Sequence, residues 1–132
     1  MAALAGLGID NVLVELDGGE VPAMDGSAAP FVFLAECAGI AEQQAPRNAI
    51  EVLKTVTVTD GDSRITLSPA TGFSISFEIS FDHPVIADQS CYIELEDGVF
   101  KRELARARTF GFLSDINKLR EQGLGLGGSL DN

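Results

Sequence analysis

The stretch "GFSISFEISF", residues 72–81, alternates without a break: Phe73, Ile75, Phe77, Ile79 and Phe81 share one face, and Ser74, Ser76, Glu78 and Ser80 share the other. A repeat of two residues is the period of a strand, here with one apolar face. Upstream, Ile50, Val52, Val56 and Val58 keep the same period to an Asp60-Gly61 turn. Residues 64–67 then return, which predicts a hairpin. Downstream, residues 91–95 predict a shorter strand that ends at the Asp97-Gly98 turn. From Val99 to about Arg106 the period becomes helical, with Phe100 and Leu104 at i and i+4. A further helix fits residues 115–122, with Ser114 as N-cap and Gly123 just past its end. Its apolar face is narrow, chiefly Ile116 and Leu119, which suits a helix lying on a surface or over a groove.

The first forty residues mix the two periods. "AALAGLG", residues 2–8, reads as the last turns of a helix closing at Gly6 or Gly8, with no capping residue ahead of it. Residues 11–17 alternate Val12, Val14 and Leu16 with Leu13, Glu15 and Asp17, the pattern of a half-buried strand. "VPAMDGSAAPFVFLAECAGI", residues 21–40, then sets a polar turn against an apolar run. Ser27 or Asp25 can cap a helix there, and Pro30 is tolerated in a first turn, where its missing N–H has no helical partner. Gly39 stands where a left-handed C-terminal residue is wanted. With Glu36 its only charge, this helix is expected to be buried on more than one side. A nucleophilic Ser27 would need a base, and His83 is the sole histidine; the G-x-S-x-G elbow is also absent. Capping is the better-supported role. "EQQAPRN", residues 42–48, is the linker candidate, and the whole reads as an α+β chain: helix, strand and helix, a linker, then strands followed by helices.

The 132 residues are 45% hydrophobic and carry a net charge of −11. Such acidity argues against nucleic acid and anionic membrane surfaces as general partners, and solubility alone would also account for it. Glu36 interrupts the most apolar run, so no stable membrane insertion is expected. The opening "MAALAGLGID" lacks the positive region of a signal peptide, and Cys37 and Cys91 form no C-x-x-C pair. A reducing cytoplasm is the simpler setting. A helix without its first turn at one end, and the glycine-rich "GLGLGGSLDN" at the other, lead to the expectation of a piece cut from a longer chain.

Five segments in order carry a resemblance: "AALAGLGIDN", "VPAMDGSAAPF", "FDHPVI", "RARTFGF" and "GLGLGGSLDN". Together they closely resemble the UDP-3-O-acyl-N-acetylglucosamine deacetylase family, zinc amidohydrolases of lipid A synthesis in Gram-negative bacteria. The resemblance spans essentially the whole chain. It implies two similar α+β domains, each a two-layer sandwich of a sheet and helices. Residues 1–45 would end the first domain and residues 46–132 would form most of the second, with an acyl-passage insert near 111–130. It implies zinc as cofactor and the UDP-linked acyl sugar as substrate. The metal-ligand motifs are missing from this chain: the resemblance puts Glu-His ahead of Met1 and His-x-x-x-Asp beyond Asn132. The isolated chain is therefore expected to be inactive and to hold no zinc, with the remainder of the parent chain as its partner. The alternative is a non-enzymatic binding or interaction module that keeps the fold without the metal site.

Site residues follow from the same resemblance. Thr109 matches the family threonine that binds the reacting carbonyl, a sensible oxyanion donor. Phe110 matches the aromatic beside it, and Phe81 the aromatic associated with the nucleotide, although sheet core is the competing role for both. Leu113, Ile116, Gly125, Gly128 and Ser129 fall in the acyl-passage insert. Some relatives place a phosphate-binding lysine where Ser63 stands, and Arg64 is the candidate in its place. Lys101, Arg102, Arg106 and Arg108 cluster ahead of Thr109, either to hold a diphosphate or as cations favoured at a helix C-terminus.

Overall fold

The computed structural model describes residues 1–125 and 127–129. The chain is α+β, with helices and two separate antiparallel two-stranded sheets. Its contacts divide it into two compact units: Met1–Gln43 together with Phe100–Asn132, and Gln44–Val99.

The first unit is built on small residues. Helix α1, Ala2–Gly6, and helix α2, Ala29–Ala38, meet a single π turn, Phe100–Leu104. Ala3, Val32 and Ala105 are buried where they meet, and Leu7, Ala28, Ala29, Phe31 and Phe100 pack around them. Side chains this short let the three backbones approach closely. Gly6 completes the fit, because a β-carbon there would overlap the Phe100 ring. The π turn replaces the α-helix expected from Val99 to about Arg106. Its register is set by the Ala105 amide, which donates to the Phe100 carbonyl at 2.8 Å, and it presents both Phe100 and Ala105 to that core.

Other expectations in this unit are corrected. Helix α2 is capped by Ala28, without a side-chain cap bond, and not by Ser27 or Asp25. Only Val32 of α2 is buried, while Phe33 is 64% exposed. The all-round apolar helix thus packs on one side within this chain. Gly39 does end α2 at positive φ, but its ψ of 154° is extended and not left-handed helical. Residues 11–17 form no strand: no segment among the described residues pairs with their backbone, and Leu13 is 82% exposed. Alternation needs a ladder partner before it becomes a strand. Helix α3, Leu113–Glu121, starts two residues before the expected Asp115, with Phe112 as N-cap in place of Ser114. Leu126 and Leu130, which fall in the expected insert, lie outside the described residues.

The second unit is two hairpins. Strands β1, Val56–Asp60, and β2, Ser63–Leu67, pair with Val56 opposite Leu67 and Val58 opposite Ile65. Those four side chains make one face. On the other, the Thr57 and Thr66 hydroxyls lie 3.0 Å apart. Gly61, at φ 55°, is the first of the two loop residues, where a glycine's positive φ matches the twist of the strands. Ile50 and Val52 precede this hairpin and are not part of it. Strands β3, Ser74–Ser80, and β4, Asp88–Glu94, pair with Ile75 opposite Ile93 and Phe77 opposite Cys91. Strand β4 thus begins three residues before the expected Cys91.

Neither hairpin buries its apolar face. No side chain of residues 44–99 is buried, and Val58, Ile65 and Phe77 are all exposed. A two-stranded hairpin without a covering layer is marginally stable at best. The isolated chain is therefore expected to self-associate through these faces, visible as concentration-dependent light scattering. A monodisperse monomer with one sharp thermal transition would contradict this.

The Gly6 contact gives a second expectation. Alanine normally favours a helix over glycine by about 1 kcal/mol. At Gly6 the overlap with Phe100 outweighs that gain, and overpacking costs about 1–3 kcal/mol. Gly6→Ala in the full-length protein should lower the denaturation midpoint, and Phe100→Leu in the same background should recover part of the loss. An unchanged midpoint would remove Gly6 from the account of this core.

Candidate functional site

The turn ahead of α2 is held by its own side chains. Asp25 Oδ1 accepts hydrogen bonds from the Ser27 amide at 2.9 Å and from the Ser27 hydroxyl at 2.8 Å. Ser27 Oγ in turn accepts from the Ala29 amide at 3.2 Å. Ser27 is buried, at 7% exposure. It supports the helix start from one residue outside the cap, so its structural role holds although the cap position moved. The two Ser27 donors, amide first and hydroxyl second, hold the Asp25 carboxyl below its ordinary value of 3.8, with a smaller pull from Arg108. A depressed value means that this contribution to stability is complete above the unfolded pKa and is lost as pH falls through the folded one.

The segment bearing Thr109 meets this turn. Arg108 Nη1 donates to the Asp25 carbonyl at 3.4 Å. Thr109 follows, exposed, with no hydrogen-bond partner for its hydroxyl among the described residues. The Phe110 and Phe112 rings pack edge to face, 5.9 Å between centroids. A β-carbon on Gly111 would stand 3.0 Å from Ile116 Cδ1, so Ile116 closes over the Gly111 backbone. Ile116 is half-buried on α3, and Leu113 points outward. Beyond α3, Arg120 Nη2 donates to the Gly128 carbonyl at 2.8 Å, and the Gly128 amide donates to the Gly125 carbonyl at 3.2 Å. Gly125 lies against Leu119, and Ser129 is exposed next to Gly128. Thr109, Phe110, Leu113, Ile116, Gly125, Gly128 and Ser129 therefore belong to one continuous motif in the first unit.

Phe81 and Arg64 belong to the second unit. Phe81 follows β3, its amide donating to the Ala87 carbonyl at 3.0 Å, and the residue is 39% exposed. Arg64 pairs with Thr59 across the first hairpin, on the same face as Thr57 and Thr66. His83 serves the loop between β3 and β4, where its Nδ1 accepts from the Val85 amide at 3.2 Å. An open, apolar concavity of about 360 Å³ lies between Ile50, Leu53, Val56 and Leu67, and no candidate site residue lines it.

The basic cluster does not converge on one point. Lys101 pairs with Glu36 at 2.6 Å, and Arg108 turns to Asp25. Arg102 and Arg106 have no partner among the described residues. Nor do the residues present fit a zinc site: among the described residues no group of three His, Cys, Asp or Glu could hold a metal ion. Sequence reasoning missed the bond from Arg108 to the Asp25 carbonyl. Its partners stand 83 positions apart and the acceptor is backbone, so no local pattern could signal it.

The sequence matches known proteins along its whole length. The sequence model of the family LpxC, UDP-3-O-acyl N-acetylglycosamine deacetylase, matches residues 1–132. A UDP-3-O-acyl-N-acetylglucosamine deacetylase of Myxococcus xanthus is 57% identical over all of this chain and 42% of its own length. Those of Hahella chejuensis and Pseudomonas entomophila are 57% and 54% identical, again over the whole chain and 44% of theirs. The chain thus spans less than half the length of these relatives. With every residue from 1 to 132 inside that match, the chain belongs to the LpxC family of UDP-3-O-acyl-N-acetylglucosamine deacetylases.

Proposed function

We propose that these residues are part of a zinc-dependent enzyme that removes the N-acetyl group from UDP-3-O-acyl-N-acetylglucosamine in the cytoplasm of a Gram-negative bacterium, a step of lipid A synthesis. The observation that carries this reading is the whole-chain match at 57% identity to proteins of that name. In the longer protein, residues 1–45 would end one α+β domain and residues 46–132 would form most of a second. The zinc ligands would come from the rest of the polypeptide.

This chain's own part is to bind and orient. The Thr109 hydroxyl donates to the carbonyl oxygen of the acetamide as water adds and charge gathers on that oxygen. Such a donor stabilises the tetrahedral intermediate more than the ground state, which is what accelerates the reaction. Its exposure and lack of a competing partner leave it available for that bond. Phe110 supports the substrate beside it. Leu113, Ile116, Gly125, Gly128 and Ser129 line the passage for the acyl chain, whose methylenes each gain about 0.8 kcal/mol on burial. Phe81 and Arg64 serve the nucleotide, by stacking and by phosphate contact.

Two expectations follow from this division of labour. The isolated chain, dialysed after exposure to zinc, should retain far less than one ion per chain, because three protein ligands in geometry are needed. Stoichiometric zinc, lost in His83→Ala, would overturn the assignment of the ligands to the rest of the protein. In the full-length enzyme, Thr109→Val should lower kcat/KM by on the order of tenfold to a thousandfold, the scale of losing one oxyanion donor. Valine keeps the β-branched shape, so the folded, metal-loaded variant is a fair comparison. Wild-type kcat/KM in that variant would make Thr109 part of the scaffold.

A further inference from the structure

The segment carrying Thr109 is attached at both ends to one small structure, the turn of residues 23–27. Ahead of Thr109, Arg108 reaches the Asp25 carbonyl at 3.4 Å. Behind α3, Gly127 lies against Ala23, a β-carbon on it standing 3.4 Å from Ala23 Cβ. Between these two anchors the segment braces itself, Ile116 over Gly111 and Arg120 on the Gly128 carbonyl. The turn has the stiffness an anchor needs. The Gly26 amide donates to the Ala23 carbonyl at 2.9 Å, and Asp25 is tied to Ser27 twice. Met24 holds a φ of 54°, a conformation that a residue with a side chain keeps only where its surroundings enforce it. Three residues before Arg108, Ala105 is buried in the core with Val32 of α2. The path from the core to Thr109 is thus fixed at Ala105 and again at Arg108.

We infer that the turn of residues 23–27 is a positioning platform for the catalytic loop, and that Arg108 is the residue through which it holds Thr109 on its target oxygen. This rests on the donor role proposed for Thr109. Arg108 meets a backbone carbonyl, so the role assigned to its guanidinium is to fix the course of the chain and not to contact the substrate. Misplacing a hydrogen-bond donor by an ångström costs far more in the transition state than in substrate binding. Loss of the platform contact therefore lowers kcat and leaves KM nearly unchanged.

The test is a double-mutant cycle in the full-length, metal-loaded enzyme. Arg108→Met, which keeps the stem and removes the donors, should lower kcat about tenfold with KM within about twofold. Arg108→Lys, which keeps one donor, should recover part of that loss and serves if the methionine variant is unstable. Because Arg108 acts through Thr109, adding Arg108→Met to Thr109→Val should cost no more than about twofold beyond Thr109→Val alone. Multiplicative losses in the double variant would overturn the inference while leaving Thr109 as the donor. So would an unchanged kcat in a folded Arg108→Met or Arg108→Lys enzyme. Wild-type activity in Thr109→Val alone would instead remove the donor role, and this inference with it.

Discussion

The close approach of three backbones at Ala3, Val32 and Ala105 is the constraint on which the first unit depends. Nothing larger than valine stands at the centre, so the elements are held by proximity and not by a bulky wedge. Dispersion falls steeply with distance, which makes small residues effective only when the fit is tight. Gly6 and Phe100 show how tight it is. The ring occupies the space a side chain at residue 6 would need, and the π turn carries Phe100 there while turning Ala105 inward. From Ala105 the chain has only three residues to cover before the Arg108 anchor, so the core constrains the loop that follows.

The second unit obeys a different rule. Its two hairpins are specified by pairing and turn chemistry, which are local, while their apolar faces remain uncovered. Val56, Val58, Ile65 and Leu67 make a continuous apolar face with no layer against it, as do Ile75 and Phe77 in the second hairpin. Local signals are enough to set register. They are not enough to bury it.

The same distinction explains what was legible in the sequence. The alternation through Phe73–Phe81 and the Asp60-Gly61 turn describe structure formed between neighbours in the chain; Val56 and Val58 and the returning strand lie where the period puts them, while Ile50 and Val52 stand outside the hairpin. The equally regular alternation of residues 11–17 yields no strand, since period two describes side chains, whereas a strand also needs another backbone to bond. The cap of α2 lies one residue past Ser27, whose hydroxyl still accepts from the Ala29 amide, and α3 starts two residues early with no side-chain cap bond. The anchors of the Thr109 loop were invisible for a more basic reason. One end is an arginine on a carbonyl and the other is glycine against alanine, and neither pair has a sequence signature. Thr109 itself was reached by resemblance, because a single exposed hydroxyl carries no pattern of its own.

Charge places a final condition on the proposed site. A nucleoside diphosphate is strongly anionic, and this chain carries −11. At physiological ionic strength fields are screened beyond about 8 Å, so this acidity weakens long-range attraction without forbidding a short-range bond. The cations must then act at contact distance. Lys101 already faces Glu36 and Arg108 faces the Asp25 carbonyl, while Arg102 and Arg106 in the first unit and Lys54 and Arg64 in the second have no partner among the described residues. Of these, Arg64 stands on strand β2, opposite Thr59 and on the same face as Thr57 and Thr66. For the nucleotide contact proposed above, a guanidinium on that face offers the planar fork that matches phosphate oxygens, a contact that acts at short range whatever the net charge of the chain.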